Sequence, residues 1–393
     1  MPFPSRSAAV VGVYTTKQGK KLGVSTHQLE IEAIQGALAD AGLTVADVDG
    51  LIPLSTEATY RTMMQWVEQL GGNPTYLESA SPVGGIAKAT AAIAAGMANV
   101  VVLFWGNAHA SVGAKGAQQQ QGAKASSVRA PRVGDMHWMI HGAYMVPWYA
   151  LWTQRYMHEF NVPQEKLAEY AVIARHHATL NPASLMGDKG EITVDDVLSS
   201  PPVALPLHRL ECSLDNEGGY ALVVASAEVA RNCKKKPVWI LGGAERAFTD
   251  SYSTFTADWL NNSRSAVKRA TDIAFEGAGV TRADIDVAGL YDCFPVTVAR
   301  DLEEMGFCGR GEGADMIAEG HLRLGGSLPT NTDGGLLSNS HNMNPGGMHA
   351  IEVTRQLRGE CDRRQVKDAR IGVVLSQGWS VLGLAGTAIL AAD

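Results

Sequence analysis

The sequence has few cysteines, little charge and no long apolar run, and each shortage excludes a class of protein. Its 393 residues include five cysteines that are scattered and never spaced as CxxC, which predicts neither a disulfide framework nor a zinc ribbon. The longest continuous apolar run, residues 100–105, is far short of the ~20 residues that span a bilayer. The formal net charge of −7 argues against a general binder of phosphate backbones. We therefore expect no membrane partner and no nucleic-acid partner.

The chain ends and the composition predict the compartment and the size of the core. The N-terminus lacks the apolar segment of a signal peptide. The C-terminal Ala391-Ala392-Asp393 is neither a retention signal nor a peroxisomal signal. We therefore expect a cytoplasmic protein. Hydrophobic residues make up 46% of the chain and charged residues 19%, which is enough for a large buried core, and the length predicts two or three domains.

The chain contains an internal repeat. Residues 37–49 (ALADAGLTVADVD) align without a gap with residues 274–286 (AFEGAGVTRADID). Each copy predicts a helix that ends at a glycine and is followed by a strand. The strands and helices around each copy also agree, and they include two helices that open at glycine pairs, at 84–85 and 346–347. Two similar halves of alternating strands and helices predict a duplicated, layered α/β fold.

A long insert separates the two halves. Residues 113–134 are rich in glutamine and basic residues, which is typical of a solvated loop or of a basic lid over a phosphorylated ligand. The aromatic stretch that follows includes Trp148 and forms either domain core or the wall of a ligand pocket. His141 lies four residues after His137, a helical spacing for a shared metal, but no third ligand follows at a recognisable spacing. We therefore predict no metal site.

The repeat points to two matching loops as the place for chemistry. Ser79 lies five residues before Gly84, and His341 lies five residues before Gly346. Ligands of open α/β sheets gather where strands end and helices begin, and a helix N-terminus favours a developing oxyanion. His341 lies in a segment without apolar periodicity, so an acid–base role is favoured over a structural one. Tyr291 ends the strand of the second repeat, where a catalytic role and a core role both stay open.

Five motifs together resemble the thiolase superfamily, in the branch of sterol-carrier-protein thiolases and lipid-transfer-protein aldolases. They are SPVGGIAKATAAIAAGMANVVVL (81–103), LECSLDNEGGYALVVAS (210–226), LYDCF (290–294), NTDGGLLSNSH (331–341) and RQLRGE (355–360). The resemblance covers nearly the whole chain, and its specificity lies in the combination rather than in any single motif.

The resemblance implies a fold and a set of partners. The implied fold is the thiolase fold, with two pseudo-symmetric βαβαβαββ halves in a layered α/β arrangement and an inserted loop domain. We expect the N-terminal half over residues 1–106, completed by about 203–235, the loop domain over 107–202 and the C-terminal half over 236–393. The resemblance also implies a homodimer, an acyl-CoA substrate and a small OB-fold/zinc-ribbon partner subunit in trans. Any zinc would belong to that partner, and we expect no cofactor in this chain.

Departures from the family pattern bear on the chemistry. Thiolases place a nucleophilic cysteine at the start of the first glycine-opened helix, and Ser79 holds that position here. A serine hydroxyl is a far poorer nucleophile unless a base activates it. Tyr291 replaces the histidine of the family's His-Asp-Cys-Phe motif, whereas His341 keeps the histidine of its Gly-His-Pro motif. The missing cysteine disfavours thiolysis through a cysteine acyl-enzyme.

What remains at the site predicts retro-aldol (or aldol) chemistry on a β-hydroxyacyl-CoA, because this reaction needs no covalent intermediate. Tyr291 and His341 would share the proton transfers, with His341 preferred because an unperturbed tyrosine titrates near ~10. Backbone N–H groups around Ser81 and at Gly378 would form the oxyanion hole. Asp292 would orient a neighbouring side chain.

The acyl group and two alternative functions stay open at this point. The predicted pocket lining is His141, Trp148, Asn331 and Trp379. An aromatic-rich pocket suits a sterol side chain, an aromatic acid or a branched chain, so we expect a bulky acyl group. The alternatives are a thiolase-type acyltransferase with a non-standard or partner-assisted site, and a non-catalytic acyl-CoA-binding or scaffold subunit.

Overall fold

Strands and helices alternate along the chain in the order that the repeat predicts. The computed structural model describes residues 3–54, 60–108, 111, 145–247, 265–341, 346–378 and 384–393. The first half contains β1 (Ala8–Thr15), α1 (Thr26–Ala41), β2 (Gly50–Pro53), α2 (Tyr60–Leu70), β3 (Tyr76–Leu77), α3 (Gly84–Ala94) and β4 (Val100–Asn107).

Further elements follow in the middle and in the second half of the chain. The middle segment contains α4 (Met145–Phe160), α5 (Gln164–Thr179), α6 (Val194–Ser199), β5 (Pro202–Ala204), β6 (Leu207–His208), β7 (Gly218–Ser226) and α7 (Ala227–Ala230). The second half contains β8 (Val238–Ala247), α8 (Ala266–Ala278), β9 (Val287–Gly289), α9 (Pro295–Met305), α10 (Gly313–Ala318), α11 (Gly335–Ser338), α12 (Gly347–Arg358), β10 (Ile371–Gly378) and β11 (Leu384–Ala391).

Both copies of the repeat adopt the predicted helix and turn. Helix α1 ends at Gly42 with φ 74°, and α8 ends at Gly279 with φ 68°. Glycine adopts this left-handed conformation without the steric cost that a Cβ would bring. A short 3-10 turn follows each helix, and in each turn an aspartate accepts a hydrogen bond from the backbone N–H of the preceding threonine. These features are predictable because each hydrogen bond closes within four residues.

Nine of the described strands form one mixed sheet in the order β3-β2-β4-β7-β1-β8-β11-β10-β9. In the first half, β1 pairs antiparallel with β7 and β7 with β4, whereas the pairings of β4 with β2 and of β2 with β3 are parallel. In the second half, β8 pairs antiparallel with β11 and β11 with β10, whereas β10 pairs in parallel with β9. Next to β9, a parallel bridge joins Ala288 to Thr330. This bridge occupies the position in the second half that β3 occupies in the first half. The halves meet where β1 and β8 pair antiparallel through Ala9 with Trp239 and Val10 with Val238. The strand order therefore confirms two pseudo-symmetric halves.

Helices cover both faces of this sheet, as the layered prediction requires. Successive side chains of a strand point to opposite faces, and in β1 the residues Ala9 and Val11 join the core beneath α1 and α8. Ala8 and Val10 point the other way, into the core beneath α3 and α12. None of the helices in the described ranges is long and apolar enough to cross a membrane.

Candidate active site

The strand end after β9 brings Tyr291 against the loop that carries His341. The Tyr291 hydroxyl lies 3.0 Å from Nε2 of His341, and the two rings meet edge to face with centroids 6.0 Å apart. Tyr291 is 3% exposed, and His341 is partly buried. The structure thus brings together the two side chains predicted for proton transfer.

The motif at residues 210–226 holds His341 in place. The backbone N–H of His341 donates to the carbonyl of Leu214 at 2.9 Å. The neighbouring Ser340 hydroxyl accepts from the N–H of Asn216 and donates to its carbonyl. The N–H of Ser213 in the same motif donates to the carbonyl of Cys293. One segment therefore ties the His341 loop to the strand end that carries Tyr291.

Burial sets the protonation states of the pair. Desolvation raises the pKa of Tyr291 well above its ordinary value, and the nearby Cys293 and Tyr149 raise it further. Desolvation lowers the pKa of His341, although Asp215 and Asp292 oppose this shift. At neutral pH Tyr291 is therefore a phenol and His341 a neutral imidazole. Of the two, only His341 is able to accept a proton, and Tyr291 is suited to pass one on.

Asp292 follows Tyr291 and is fully buried. Its carboxylate accepts hydrogen bonds from the Tyr170 hydroxyl at 2.7 Å and from the N–H of Leu336. Nε2 of His349 lies 3.3 Å away, within ion-pair distance. Gly335 has φ +58°, and a Cβ there would overlap the carboxylate. Asp292 thus contacts the 331–341 loop through Leu336, and the orienting role predicted for it stays a prediction.

The side-chain amide of Asn331 forms hydrogen bonds with neighbouring residues of the protein. It accepts from the N–H of Leu290 at 2.8 Å and donates to the carbonyl of Leu290 and to the Tyr170 hydroxyl. Its backbone is left-handed with φ 50°, which asparagine tolerates better than most residues. Asn331 therefore holds the start of the Tyr291 segment, and the pocket-lining role predicted for it has no support in these contacts.

The loop before α3 differs from the predicted oxyanion hole. Both the N–H and the hydroxyl of Ser81 donate to the Glu245 carboxylate, and Lys88 Nζ lies 3.7 Å from the same carboxylate. The Ser81 N–H is therefore engaged by Glu245, and the oxyanion role predicted for it has no support in these contacts. Ser79 is half-buried, and its carbonyl accepts from Lys88 at 2.9 Å. Within the described residues no hydrogen bond is made to the Ser79 hydroxyl.

The two glycine-opened helices begin next to each other. Gly346, before α12, has φ +107°, and a Cβ there would overlap Ser376 and crowd Pro82 and Val83 before α3. The Val83 N–H donates to the Ser376 hydroxyl at 3.2 Å. Gly378 ends the same strand, β10, and is paired with Leu384 of β11. The two matching loops thus lie side by side, and the oxyanion role of Gly378 stays a prediction.

Comparisons with known proteins agree with this architecture. The family described as "Thiolase C-terminal domain-like" matches residues 248–392. The steroid side-chain-cleaving aldolase of Thermomonospora curvata is 32% identical over 405 residues, which cover 98% of each chain. The chain belongs to the thiolase superfamily. Its relatives include the sterol carrier protein 2 of chicken, which supports the branch that the motifs indicated.

Thiolase-superfamily relatives of this chain include more than one kind of enzyme. An acetyl-CoA acetyltransferase of Methanothermobacter thermautotrophicus is 31% identical over 396 residues, which cover 98% of each chain. The solved Ltp2-ChsH2(DUF35) aldolase is 31% identical, covers 100% of this chain and 99% of its own, and superposes with a TM-score of 0.83. Identity alone therefore does not separate aldolases from acyltransferases.

The remaining predicted site residues of this thiolase-superfamily protein divide into two groups. Trp148 is buried on α4 in the same core as Tyr149 and Phe294, whose rings lie 4.5 Å apart. His141 and Trp379 lie outside the described residues, as do His137 and residues 113–134. Among the residues that the structure describes, no group of three His, Cys, Asp or Glu side chains could hold a metal ion.

Sequence reasoning missed three side chains next to the predicted site. Tyr149 and Cys293 both lie against the Tyr291 hydroxyl and raise its pKa. Burial also raises the pKa of the Cys293 thiol, which disfavours the reactive thiolate. Glu245 reaches Ser81 across 164 positions of sequence. Of the three, only Cys293 had a sequence signal, because it belongs to the LYDCF motif.

Proposed function

We propose that this protein cleaves a β-hydroxyacyl-CoA thioester by a retro-aldol reaction. The contact between the Tyr291 hydroxyl and Nε2 of His341 at 3.0 Å carries the proposal. It supplies a neutral base and a proton relay in a site where Ser79 replaces the thiolase nucleophile. General acid–base catalysis of this kind contributes typically about 10²–10⁴-fold to a rate.

The reaction runs in three balanced steps. The β-hydroxyl of the substrate gives its proton to Tyr291 while Tyr291 gives its own proton to His341. The bond between the α and β carbons breaks, its electron pair forms the thioester enolate, and the β carbon becomes a carbonyl carbon. His341 then returns the proton through Tyr291 to the α carbon. The products are a ketone or aldehyde and a shortened acyl-CoA, and no water or redox partner is needed.

The acyl group is proposed to be bulky and built on rings. Buried aromatic side chains lie beside Tyr291, and the centroids of the Tyr149 and Phe294 rings are 4.5 Å apart, with the rings tilted by 32°. The T. curvata relative is named for cleaving a steroid side chain, and a steroid nucleus has the size and apolarity that such a wall suits. The thioester is proposed to be that of coenzyme A, with no further cofactor in this chain.

We also propose that the protein works with a second subunit. The Ltp2-ChsH2(DUF35) aldolase, similar over the whole chain, is named as a complex of two proteins. We expect a small OB-fold/zinc-ribbon partner here, with any zinc in that partner. The homodimer and the domain division at residues 106, 202 and 236 rest on the resemblance and stay predictions.

The test is cleavage of a panel of β-hydroxyacyl-CoA thioesters that carry steroid, aromatic and branched acyl groups. We expect a ketone or aldehyde and a shortened acyl-CoA, detected by mass spectrometry, and a loss of about 10²–10⁴-fold in Tyr291→Phe and His341→Gln. Tyr14→Phe removes a tyrosine hydroxyl that contacts the surface residue Glu32 and serves as the control. Full cleavage in both active-site variants would rule out the proposed acid–base roles.

An acyltransferase is the second candidate, because the acetyl-CoA acetyltransferase relative is 31% identical over 98% of the chain. This function requires an activated nucleophile, and no described group hydrogen-bonds the Ser79 hydroxyl. Incubation with a labelled acyl-CoA followed by peptide mass spectrometry separates the two candidates. A labelled acyl group on Ser79 would favour the acyltransferase, and an unmodified Ser79 peptide favours the aldolase.

A further inference from the structure

Asp301 of α9 and Gln377 of β10 form a buried polar pair that the proposed proton transfer does not use. Asp301 is 1% exposed and Gln377 is 4% exposed. The Gln377 side-chain N–H donates to Oδ1 of Asp301. Oδ2 of Asp301 and Oε1 of Gln377 have no hydrogen-bond partner in the described part of the chain. Because buried polar atoms are nearly always hydrogen-bonded, each of these two has room for a partner other than the described residues.

The register of the sheet places the pair beside the Tyr291 segment. Val374 of β10 pairs in parallel with Gly289 of β9. Gly289 is the last residue of β9, and from this pair both chains run on in the same direction, toward Tyr291 and Asp292 in one and toward Gln377 in the other. Asp292 is close enough to Asp301 to raise the pKa of its carboxyl group. Gln377 also directly precedes Gly378, for which the sequence predicts an oxyanion role.

Helix α9 brings Asp301 to the same edge. Thr297, in the first turn of α9, donates through its hydroxyl to the carbonyls of Tyr291 and Phe294, at 3.2 and 2.6 Å. Asp301 lies four residues later, on the same face of the helix and one turn away. It is also close enough to Cys293 to raise the pKa of that thiol. Asp301 therefore borders the buried side of the Tyr291 segment.

The charge state of Asp301 makes it a hydrogen-bond donor. Desolvation raises its pKa well above the ordinary value, whereas the hydrogen bond from Gln377 and the positive charge of Arg300 lower it. Burial thus favours the neutral carboxylic acid over the carboxylate. Because Gln377 donates to Oδ1, the acid proton resides on Oδ2, the atom without a partner. Buried, neutral carboxylic acids are known to donate to enolate oxygens in other enzymes.

The proposed reaction requires such a donor. Cleavage of the carbon–carbon bond leaves negative charge on the thioester oxygen, and the donors that stabilise this charge are a large part of catalysis. The N–H of Ser81 is already bound by Glu245. That N–H is therefore engaged within the protein, and a side-chain donor would add to whatever the predicted N–H of Gly378 supplies.

We propose that Asp301 is a further catalytic residue, which donates a hydrogen bond from Oδ2 to the enolate oxygen of the CoA thioester. Gln377 is a positioning residue that orients the acid. This inference rests on the proposed function in that both require a thioester enolate. The acid transfers no proton, and its hydrogen bond strengthens as charge builds up on the thioester oxygen.

Three variants test the donor role. Asp301→Asn keeps the shape of the side chain and an N–H donor, so we expect it to retain most of the activity. Asp301→Leu removes the donor and should lower kcat about 10²–10³-fold with little change in KM. Glu303→Gln makes the same acid-to-amide change two residues along α9, where the carboxylate binds Tyr156, and should leave kcat unchanged.

Two readouts separate this inference from the proposed function. One is the cleavage rate of a β-hydroxyacyl-CoA, and the other is exchange of the α-protons of propionyl-CoA in D2O, which needs the enolate but no cleavage. If the wild-type protein exchanges the α-protons but cleaves no thioester, the proposed function is overturned. The role of Asp301 is then tested by the exchange rates of its variants. Wild-type rates in Asp301→Leu would overturn the donor role. Equal inactivity of Asp301→Asn and Asp301→Leu would overturn it as well, because that result would indicate that Asp301 acts as a carboxylate base.

An infrared difference spectrum covers the case in which Asp301→Leu does not fold. The spectrum of the wild type minus that of Asp301→Asn, taken at neutral pH, should contain the carbonyl stretch of a neutral carboxylic acid. The stretch of an ionised carboxylate in its place would overturn the inference. Thermal unfolding of both proteins verifies that they are folded under the conditions of the spectrum.

Discussion

The Tyr291 hydroxyl lies 3.0 Å from Nε2 of His341, although the two residues are 50 positions apart in the sequence. Tyr291 lies in the segment between β9 and α9. His341 donates its backbone N–H to the carbonyl of Leu214, and the neighbouring Ser340 is hydrogen-bonded to Asn216. Three separate segments therefore define one hydrogen bond. Because burial makes the phenol and the imidazole neutral, the contact is a proton relay rather than an ion pair.

The pH dependence of kcat/KM should report the neutral state of His341. Burial lowers the pKa of its imidazole, so the base form persists below the ordinary pKa of about 6.5. Activity should rise with pH along a limb centred below that value. The raised pKa of Tyr291 predicts no falling limb from this phenol below about 10. An acid limb centred above 7, or an unchanged limb in His341→Gln, would contradict the assignment.

Ser79→Ala should leave retro-aldol cleavage almost unchanged, because no described group activates the Ser79 hydroxyl. Ser81→Ala is the comparison in the same loop, since it removes the hydroxyl that donates to Glu245. We expect it to lower the free energy of unfolding by about 1 kcal/mol. Cleavage assays and urea unfolding of both variants test this. Loss of cleavage in Ser79→Ala at wild-type stability would show that the serine reacts.

Gly335→Ala should disrupt the site, because the added Cβ would overlap the Asp292 carboxylate. Gly325→Ala is its matched control. Gly325 has φ +88°, also left-handed, but nothing lies within 4 Å of the position of a Cβ there. The control should cost only the backbone strain, about 1–2 kcal/mol. Gly335→Ala should cost clearly more in urea unfolding and should also lower kcat, and equal costs in the two variants would contradict the overlap.

Tyr170→Phe should lower both stability and kcat. It removes one of the donors to Asp292 and one of the acceptors of Asn331, and the loss of buried hydrogen bonds of this kind costs about 1–3 kcal/mol. The 331–341 loop would then hold His341 less well. Tyr156→Phe removes another buried hydroxyl, which donates to Glu303, and should lower stability without lowering kcat. Urea unfolding and steady-state kinetics on both variants test this, and an equal loss of kcat would indicate a general effect of stability.

Part of the candidate site could be predicted from the sequence because its signals are local. The Gly42 and Gly279 helix ends, the glycine pairs that open α3 and α12, and the segment before His341 each depend on residues within a few positions of each other. Repeated local signals also predicted the two pseudo-symmetric halves. The same reasoning placed Asn331 in the pocket lining, because a motif does not show that its amide closes on Leu290.

Contacts between distant segments decided the rest. The sequence by itself determined the family, the repeated halves, the loss of the nucleophilic cysteine at Ser79 and the choice of Tyr291 and His341. Only the tertiary structure decided that Glu245 occupies the Ser81 N–H and that Asp301 is paired with Gln377, 76 positions away. It also decided which groups are neutral. The physical reason is that hydrogen-bond partners and desolvation are properties of packed neighbours, and those neighbours come from other strands and helices.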